Sequence, residues 1–373
     1  MDVSIAKRIA VLFGTRPEAI KLAPVILALQ RRQLEPIVIC TGQHRELVDD
    51  VLRRFGIDVD EDLNLMKPGQ SLDYLLAQTI GGVSEILSRR SIGAVIVQGD
   101  TTSTLGGSLA AFHRGVPVAH VEAGLRSHDM QRPFPEEMNR RVTSLIARWH
   151  FAPTREAAEN LRAEGISHGV HVTGNTVVDA LRQFTASPLQ HPPALDRFVA
   201  DRPFILATSH RRESWGAPIG EVAAALADVL DLEPFIKLVF VTHPNRRARD
   251  PVEAALDGQS RALVLDAIDY PSFIGILRGA MVAVTDSGGV QEEGPTLGIP
   301  VLVTRTVTER PEGVTAGAVR LVGTDREVVR DAVLELVRDQ SARDQMAGAG
   351  RRVYGDGQAA ERIASVLMRE VTL

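Results

Sequence analysis

Residues 8–29, RIAVLFGTRPEAIKLAPVILAL, contain one complete unit of a pattern that the rest of the chain repeats. A short apolar run ends at Gly14, a turn follows, and Pro17 stands where a helix would begin. Proline suits the first turn of a helix, because the N–H that it lacks would have no partner there. The stretch therefore predicts a buried strand, a turn and a helix, in that order.

The same alternation of apolar run and helical pattern recurs along the chain. Further runs rich in valine and isoleucine are PIVICTGQ (36–43), AVIVQGD (94–100), VAHVEAG (118–124), FILATSH (204–210), LVFVTHP (238–244), MVAVTDSGG (281–289) and VLVTR (301–305). Continuous apolar strands that alternate with amphipathic helices are typical of a parallel sheet covered on both faces. We expect an α/β protein with two doubly wound, Rossmann-like domains and a central cleft.

The alternation breaks once, in residues 184–196 (FTASPLQHPPALD), which carry three prolines and no helical period. We place the domain boundary there or slightly before it. This gives an N-terminal Rossmann-like domain over 1–183 and a second Rossmann-like domain over 184–355. Residues 356–373 contain an amphipathic pattern, DGQAAERIASVLMREV, and predict a C-terminal helix that packs back on the N-terminal domain.

Composition argues against several classes of protein. Hydrophobic residues make up 44% of the 373 residues and charged residues 24%, as in ordinary globular proteins. The net charge of −5 gives no reason to expect nucleic acid or an anionic membrane as a partner. No window approaches the roughly 18 apolar residues of a membrane span, and the N-terminus is unlike a signal peptide. The one cysteine, Cys40, predicts an inert buried thiol, and we expect a cytoplasmic protein.

Ligands of open parallel sheets bind outside the carboxyl ends of the strands, so the residues directly after each apolar run are the first candidates for a site. A single polar residue there could simply mark where the surface begins. Here many ionisable groups share one predicted edge, which favours a site. The residues are Gly14, Thr15, Arg16, Gln43, His44, Asp100, Glu122, His210, His243, Ser287, Gly288 and Gly289.

Four side chains near this edge are candidates for proton transfer. Asp100, Glu122 and His210 each follow a strand, and Glu136 begins a predicted helix. Glu122 is the hardest to explain structurally, because an acid at the end of a buried strand needs a partner. Asp100 could instead cap the helix that follows it. For His210, about half of the histidines at strand ends would have a structural role. Acids in a first helical turn are favoured by the dipole, so a structural role for Glu136 stays open and Glu137 is assigned mainly to the dipole.

Residues 287–293, SGGVQEE, join a glycine turn at a helix start to two carboxylates. Free N–H groups at such a turn receive phosphate, whereas Glu293, about one turn later, would repel phosphate but accept hydroxyl donors. A diphosphate attached to a ribose offers both chemical groups, and carboxylates bind ribose hydroxyls in dinucleotide folds. Arg310, in TERPE, could neutralise the phosphates.

A second anion is indicated at the start of the first helix. Arg16 and Lys21 lie near its positive end, where cations are disfavoured unless something offsets them. Glu18 offsets part of this charge, and an anionic ligand would offset the rest. The chain contains no GxGxxG, P-loop, CxxC or HExxH pattern, so we expect neither a metal nor another cofactor.

The same residues carry a family resemblance, which covers nearly the whole chain in order. The chain resembles the non-hydrolysing UDP-N-acetylglucosamine 2-epimerases, and the opening GTRPEAIK favours this branch over the hydrolysing one. The matching stretches are FGTRPEAIKLAPV, TGQHRELVDDVL, QGDTTST, VEAGLRS, PFPEEMNRR, HFAPTREAAENL, VTGNTVVDAL, SHRRES, THPN, TDSGGVQEEGPTLGIPVL and RTVTERPEGVTAG.

The resemblance implies a GT-B-like fold, a homodimer, and UDP held mainly by the second domain. It also implies that UDP is eliminated across C1–C2 to give 2-acetamidoglucal and is then re-added, which yields UDP-N-acetylmannosamine. By motif, the implied catalytic residues are Asp100, Glu122, Glu136 and His210. The implied UDP-binding residues are Arg16, Lys21, Ser287, Gly288, Gly289, Glu293 and Arg310. A second UDP-N-acetylglucosamine acts as activator in bacterial members, and Gln43, His44, Arg211 and His243 match parts of that site.

The chain departs from the family pattern at Ser214, Gly69 and the pair Ala267–Ile268. These departures affect the expected dependence on the activator more than the expected epimerisation. They also leave open a modified UDP-2-acetamido sugar as substrate. A hydrolysing 2-epimerase is the closest alternative. A GT-B glycosyltransferase and a non-catalytic sugar-nucleotide sensor are more remote, because the acid/base set exceeds what either needs.

Overall fold

The computed structural model describes residues 8–42, 45–67, 69–186, 193–200, 202–209, 211 and 214–371. The chain divides into two compact units. Unit 1 comprises residues 1–182 and 355–373, and unit 2 comprises residues 183–354.

The described part of unit 1 contains a seven-stranded sheet. Its strands are β1 (Arg8–Phe13), β2 (Glu35–Cys40), β3 (Glu61–Asp62), β4 (Ala94–Gln98), β5 (Val118–Val121), β6 (Trp149–Ala152) and β7 (Val170–Val172). They run parallel in the order β3-β2-β1-β4-β5-β6-β7. Its helices are α1 (Arg16–Arg31), α2 (Arg45–Phe55), α3 (Leu72–Arg89), α4 (Thr102–His113), α5 (Glu136–Ile146), α6 (Arg155–Ala163) and α7 (Thr176–Thr185), the last of which runs a few residues past the unit boundary.

Unit 2 repeats the plan with six described strands. They are β8 (Phe204–Ser209), β9 (Lys237–Thr242), β10 (Ala262–Leu265), β11 (Val282–Thr285), β12 (Val301–Val303) and β13 (Val319–Leu321), parallel in the order β10-β9-β8-β11-β12-β13. Its helices are α8 (Pro193–Val199), α9 (Ala217–Leu232), α10 (Arg246–Ala255), α11 (Tyr270–Gly279), α12 (Gly288–Leu297), α13 (Pro311–Thr315), α14 (Arg326–Arg338) and α15 (Gln340–Gly350).

The expected fold class, with two doubly wound parallel sheets, is confirmed. Each run of apolar residues predicted as a strand forms one, and the two central strands β1 and β8 are almost wholly buried. Pro17 lies in the first turn of α1, as predicted. In each sheet the first strand lies in the interior, between the second strand and the fourth. The strand order therefore reverses next to the carboxyl ends of β1 and β4 in one sheet and of β8 and β11 in the other. Such a point is where doubly wound sheets bind ligands.

The C-terminal pattern forms helix α16 (Ala359–Glu370), which belongs to unit 1. Glu361 of this helix pairs with Arg31 and Arg32 at the end of α1. The carboxylate of Asp179 accepts hydrogen bonds from the N–H groups of Ala359 and Ala360, at 3.2 and 3.0 Å. Asp179 thus satisfies donors that the first turn of a helix leaves unpaired. These contacts fix α16 against α1 and α7.

Among the described helices, none combines the length and apolar character needed to cross a bilayer. Cys40 is buried at the end of β2, and burial raises the pKa of its thiol to about 11. The predicted buried thiol is therefore present, and at neutral pH it stays protonated.

Two histidines lie inside the sheet of unit 1. His120 on β5 and His150 on β6 are register partners, and both are almost completely buried. Nε2 of His120 lies 2.7 Å from the carbonyl oxygen of Gly99. Because a carbonyl only accepts hydrogen bonds, Nε2 must carry the proton. Burial lowers the pKa of His120 to about 3 and that of His150 to about 4.

Acid is therefore expected to destabilise unit 1. Unfolded histidine binds a proton below about pH 6.5, whereas folded His120 binds one only near pH 3, so the free energy of unfolding falls as the pH drops between these values. At pH 4.5 the loss is on the order of 2–3 kcal/mol for one such histidine. His120→Gln should reduce the difference in unfolding free energy between pH 6.5 and 4.5, measured by urea titration. His113→Gln, at an exposed position of α4, is the control. Equal pH dependence in both variants would contradict the prediction.

Candidate functional site

A buried ion pair lies at the carboxyl end of the sheet in unit 1. Glu122 directly follows β5, and its Oε2 is in contact with Nζ of Lys21 on α1. Each side chain is only 7% exposed, so Lys21 supplies the partner that the burial of Glu122 requires. Glu122 also has a φ of 66°, in the left-handed region that residues other than glycine rarely adopt. Backbone strain of this kind is concentrated at functional sites.

A second carboxylate follows the neighbouring strand. Gln98 on β4 pairs with Val121 on β5, so Asp100 and Glu122 leave the sheet at the same edge. Oδ2 of Asp100 accepts hydrogen bonds from Nη2 and Nε of Arg140 at 2.5 and 3.1 Å. Thr101, not Asp100, caps α4, so the alternative role of Asp100 as a cap is excluded. The edge therefore carries two carboxylates, each held by its own cation.

Glu137 plays a larger part than the helix dipole alone would give it. It lies in the first turn of α5, but its side chain is completely buried. Its carboxylate accepts hydrogen bonds of 3.0 Å from Arg140, Arg141 and the N–H of Ser127. Burial alone would raise the pKa of Glu137, but the Ser127 N–H and the two guanidinium groups outweigh it and hold the pKa below its usual value. The earlier assignment was thus incomplete, since Glu137 also fixes Arg140 beside Asp100. Glu136, the first residue of α5, is half-buried.

Glu18 is more deeply embedded than an acid in a first helical turn usually is. It is buried and accepts hydrogen bonds from Gly14, Thr15 and Thr101, and its Oε1 lies 3.1 Å from the hydroxyl of Thr104. Burial raises the pKa of Glu18, against the lowering effect of these hydrogen bonds. The charge of Lys21 is offset by Glu122, so the positive end of α1 is balanced within the protein to a greater extent than the sequence suggested.

The predicted phosphate turn of unit 2 forms the start of α12. Ser287 is the N-cap residue, and its side chain makes no capping hydrogen bond. Its N–H instead donates to Oγ1 of Thr285 at 2.9 Å. The fully buried Asp286 accepts hydrogen bonds from Oγ of Ser209 and from the N–H of Arg211, at 3.0 and 3.1 Å. These bonds tie the ends of β8 and β11 together beneath the turn.

Arg310 lies directly against this turn. A Cβ atom at Gly288 would stand 2.7 Å from its Nη1, so a larger residue there would displace the guanidinium group. Nε of Arg310 donates to Glu292 and Nη1 donates to Glu309, both at 2.5 Å. The structure therefore brings together the glycine turn and the arginine that were predicted to bind a diphosphate.

Three arginines surround the buried carboxylate of Glu309. Arg211 and Arg305 donate to it at 3.1 and 3.0 Å, in addition to Arg310. Burial alone would raise the pKa of Glu309, but the three guanidinium groups prevail and hold it far below its usual value. Glu309 therefore stays ionised and keeps three positive charges next to the start of α12. Glu309, with Glu292, thus concentrates three guanidinium groups beside the start of α12, and guanidinium groups are well suited to bind phosphate.

The predicted ribose-binding carboxylate, Glu293, lies in the first turns of α12. It is 7% exposed, and its Oε1 accepts a hydrogen bond of 2.9 Å from the hydroxyl of Tyr270. Phe184 packs edge-on against the ring of Tyr270, with the centroids 5.0 Å apart. Phe184 and the hydrogen bond from Tyr270 thus help to orient Glu293.

His210, Gln43 and His44 are outside the described residues. Of the other predicted activator residues, Arg211 pairs with Glu309, and His243 lies against Trp215 with ring centroids 5.1 Å apart.

The sequence-predicted residues thus divide between the two units. Unit 1 holds Arg16, Lys21, Asp100, Glu122 and Glu136, and unit 2 holds Arg211, His243, Ser287, Gly288, Gly289, Glu293 and Arg310. Sequence reasoning missed the supporting contacts of the residues that hold these groups in place, namely Glu18, Glu137, Arg140, Tyr270, Arg305 and Glu309. The only local sequence signal for these supporting residues was the closeness of acids and arginines in EEMNRR and TERPE. Within the described residues, no cluster of histidine, cysteine or acidic side chains is arranged to hold a metal ion.

The chain is similar to known proteins over nearly its whole length. The family model described as UDP-N-acetylglucosamine 2-epimerase matches residues 27–368. The UDP-N-acetylglucosamine 2-epimerase of Escherichia coli K12 is 42% identical over 369 residues, which cover 96% of this chain and 98% of that protein.

Two solved structures are similar over nearly their full length. The Neisseria meningitidis UDP-GlcNAc 2-epimerase bound to UDP-GlcNAc has a TM-score of 0.91 and 38% identity, covering 97% of this chain and 100% of that chain. The S. aureus MnaA–UDP co-structure has a TM-score of 0.90 and 42% identity, covering 96% and 95%. The GT-B-like fold class expected from the sequence is the class of these neighbours. On this likeness of sequence and fold, the chain belongs to the UDP-N-acetylglucosamine 2-epimerase family.

Proposed function

We propose that this protein interconverts UDP-N-acetylglucosamine and UDP-N-acetylmannosamine without hydrolysis. UDP leaves C1 as the C2 proton is removed, which gives 2-acetamidoglucal. UDP then adds back to C1 while C2 receives a proton on the other face. The electron pair of the broken C2–H bond forms the C1–C2 double bond, and the C1–O electron pair leaves with UDP. Re-addition reverses both changes.

The observation that carries the proposal is the pair of independently held carboxylates in unit 1. Inversion at C2 needs proton transfer on two faces, so one base is not sufficient. Asp100 and Glu122 leave adjacent strands at the same edge, yet Arg140 holds one and Lys21 holds the other. Separate cations allow the two carboxylates to differ in basicity. Glu136 and His210 complete the proposed acid/base set.

The groups of unit 2 supply the proposed leaving-group chemistry. Elimination places developing negative charge on a diphosphate, which fixed cations and N–H groups stabilise. The start of α12 and the guanidinium of Arg310 provide both, and Glu293 would accept the ribose hydroxyls. Arg16 and Lys21 are the proposed contribution of unit 1 to UDP binding. The relative from Neisseria meningitidis was solved with UDP-GlcNAc, which supports this class of ligand.

The test is ¹H NMR of the purified protein with UDP-N-acetylglucosamine in D₂O. We expect UDP-N-acetylmannosamine to appear, with deuterium entering C2 of both sugars, because each passage through the glucal exchanges the proton. Free N-acetylmannosamine and UDP would instead place the protein with hydrolysing epimerases. Binding without turnover would contradict the proposal for this substrate, and other UDP-2-acetamido sugars would then be tested before any acceptor.

The proposal extends to a second UDP-N-acetylglucosamine as activator, on the strength of Gln43, His44, Arg211 and His243. Conversion of UDP-N-acetylmannosamine alone should then show a lag, which a trace of UDP-N-acetylglucosamine abolishes. Immediate conversion at full rate would show that this chain, with its departures at Gly69 and Ser214, works without activation.

A further inference from the structure

The carboxylate of Glu18 joins two loops that carry proposed site residues. Oε2 accepts hydrogen bonds from the N–H groups of Gly14 and Thr15, at 3.0 and 2.7 Å, and from Oγ1 of Thr15, at 2.8 Å. Oε1 faces the hydroxyls of Thr101 and Thr104, at 2.6 and 3.1 Å. Each oxygen therefore serves one loop: Oε2 holds the loop between β1 and α1, and Oε1 holds the start of α4.

This junction is closely packed and polar throughout. A Cβ atom at Gly14 would lie 2.3 Å from Oγ1 of Thr41 and 2.5 Å from Oγ of Ser103, which are themselves hydrogen-bonded at 2.8 Å. Glu18, Thr41 and Ser103 are all buried. A buried polar network of this kind is rigid when every group has a partner and costly when one is removed. If Glu18 only capped α1, it would not need its hydrogen bond with Thr101, which lies 83 residues away at the start of α4.

Glu18 also occupies the backbone N–H groups of Gly14 and Thr15, just before α1. A phosphate near α1 would therefore meet side chains, chiefly Arg16 and Lys21, and not these amides of the loop. The position of Arg16 depends on a loop that Glu18 anchors through two N–H groups and one hydroxyl.

We propose that Glu18 is a positioning residue, which fixes the loop bearing Arg16 against the loop bearing Asp100. Arg16 directly follows Thr15, and Asp100 directly precedes Thr101, so one carboxylate sets the spacing between a proposed phosphate ligand and a proposed acid/base group. The inference rests on the proposed function for its kinetic consequence, but the bridge itself is testable without turnover.

The hydrogen-bonding groups around residue 18 determine which substitutions can keep both loops in place. The hydroxyl of Thr104 also lies 2.6 Å from the carbonyl oxygen of Gln98, which takes its single proton. The oxygen of this hydroxyl can still accept a hydrogen bond, so a donor group in the place of Oε1 of residue 18 could bond to Thr104. Glutamine, with its oxygen in the place of Oε2 and its NH₂ in the place of Oε1, can retain both loops, because the threonine hydroxyls can accept as well as donate. Aspartate is one methylene shorter and can reach only one loop.

The experiment compares Glu18→Gln, Glu18→Asp and Glu18→Ala by amide hydrogen exchange and by kcat. We expect the segments around Gly14 and Thr101 to exchange faster in the alanine variant, one of them in the aspartate variant, and neither in the glutamine variant. The kcat per UDP-binding site should fall about 10- to 100-fold for alanine and aspartate, as expected for a misplaced group, and stay within about threefold for glutamine. KM should change less than kcat.

Two controls separate positioning from simple loss of stability. Glu156→Ala removes an acid from the first turn of α6 without breaking a bridge, and should change neither exchange near Thr101 nor kcat. Thr101→Val removes a partner of Oε1 but leaves the bonds of Oε2 to Gly14 and Thr15. It should therefore speed exchange around Thr101 alone and lower kcat as the alanine variant does, whereas Thr101→Ser should do neither. Unchanged exchange at both loops in Glu18→Ala would overturn the bridge. Altered exchange with unchanged kcat per site would overturn the positioning role. An inactive wild-type protein would refute the proposed function, and the exchange data would still decide on the bridge.

Discussion

Replacing Glu122 by glutamine is expected to lower the rate of epimerisation by about 10²- to 10⁴-fold, the usual contribution of one general acid or base. Glutamine has nearly the same size and can still accept a hydrogen bond from Lys21, so the change removes charge and proton transfer without opening a cavity. The kcat would be measured by NMR, and the affinity for UDP by calorimetry on the same preparation. Affinity for UDP should change far less than kcat, because Glu122 is proposed to act on the sugar.

The buried partner of Glu122 requires its own control. Glu122→Gln removes the buried carboxylate that contacts the ammonium group of Lys21, and breaking a buried pair costs about 3–5 kcal/mol of stability. A double variant, Lys21→Met with Glu122→Gln, removes both charges and should recover most of this loss while remaining inactive. Activity that returns together with stability would contradict a catalytic role for Glu122. Glu35→Gln, in an exposed pair with Arg8, should alter neither quantity.

Glu122 also shows why a strand-end rule could locate this site from sequence. The alternation of apolar runs and helical patterns predicts parallel strands, and topology then places the residues after each strand at one edge. Asp100 and Glu122 follow their strands within two residues, so their shared edge follows from the strand boundaries alone. The left-handed backbone of Glu122 had no sequence signal, because glutamate gives no indication of positive φ.

The supporting residues could not be found in the same way. Glu18 looks like an ordinary first-turn acid, and its contact with Thr101 spans 83 residues and appears only when β1 and β4 pair. Glu137 was assigned mainly to the helix dipole for the same reason. Local patterns report on capping and periodicity, whereas burial of a charge depends on what the rest of the chain places around it.

Short edge strands were missed for a different reason. β3 has two residues, both acidic, and β7 has three, one of them a histidine. At the edge of a sheet, pairing with one neighbour is enough to define a strand, so apolar runs are not required. The central strands, which are covered on both faces, are the ones whose sequences must be continuously apolar, and these were predicted correctly.

The second large effect is expected at Arg310. Arg310→Ala should weaken UDP binding by about 100-fold or more, equivalent to roughly 2.7 kcal/mol, since a buried guanidinium beside a diphosphate makes charge-assisted bonds. The same change leaves Glu292 and Glu309 without one of their cations and should destabilise unit 2 by about 3–5 kcal/mol. UDP titration calorimetry and urea unfolding measure the two effects. Arg320→Ala, at an exposed pair with Glu335, controls for loss of an arginine as such.

At position 310, the effect of lower stability on UDP binding can be separated from the effect of losing the side chain proposed to bind the diphosphate. Arg310→Met combined with Glu292→Gln removes one charge of each sign and should restore part of the stability, because Glu309 keeps Arg211 and Arg305. UDP affinity should stay low, since the methionine offers nothing to an anion. Arg310→Lys should bind UDP with intermediate affinity, because one ammonium group cannot replace both Nε and Nη1. If affinity returns with stability in the double variant, Arg310 orders the turn at Gly288, and the helix start and the remaining arginines hold the diphosphate.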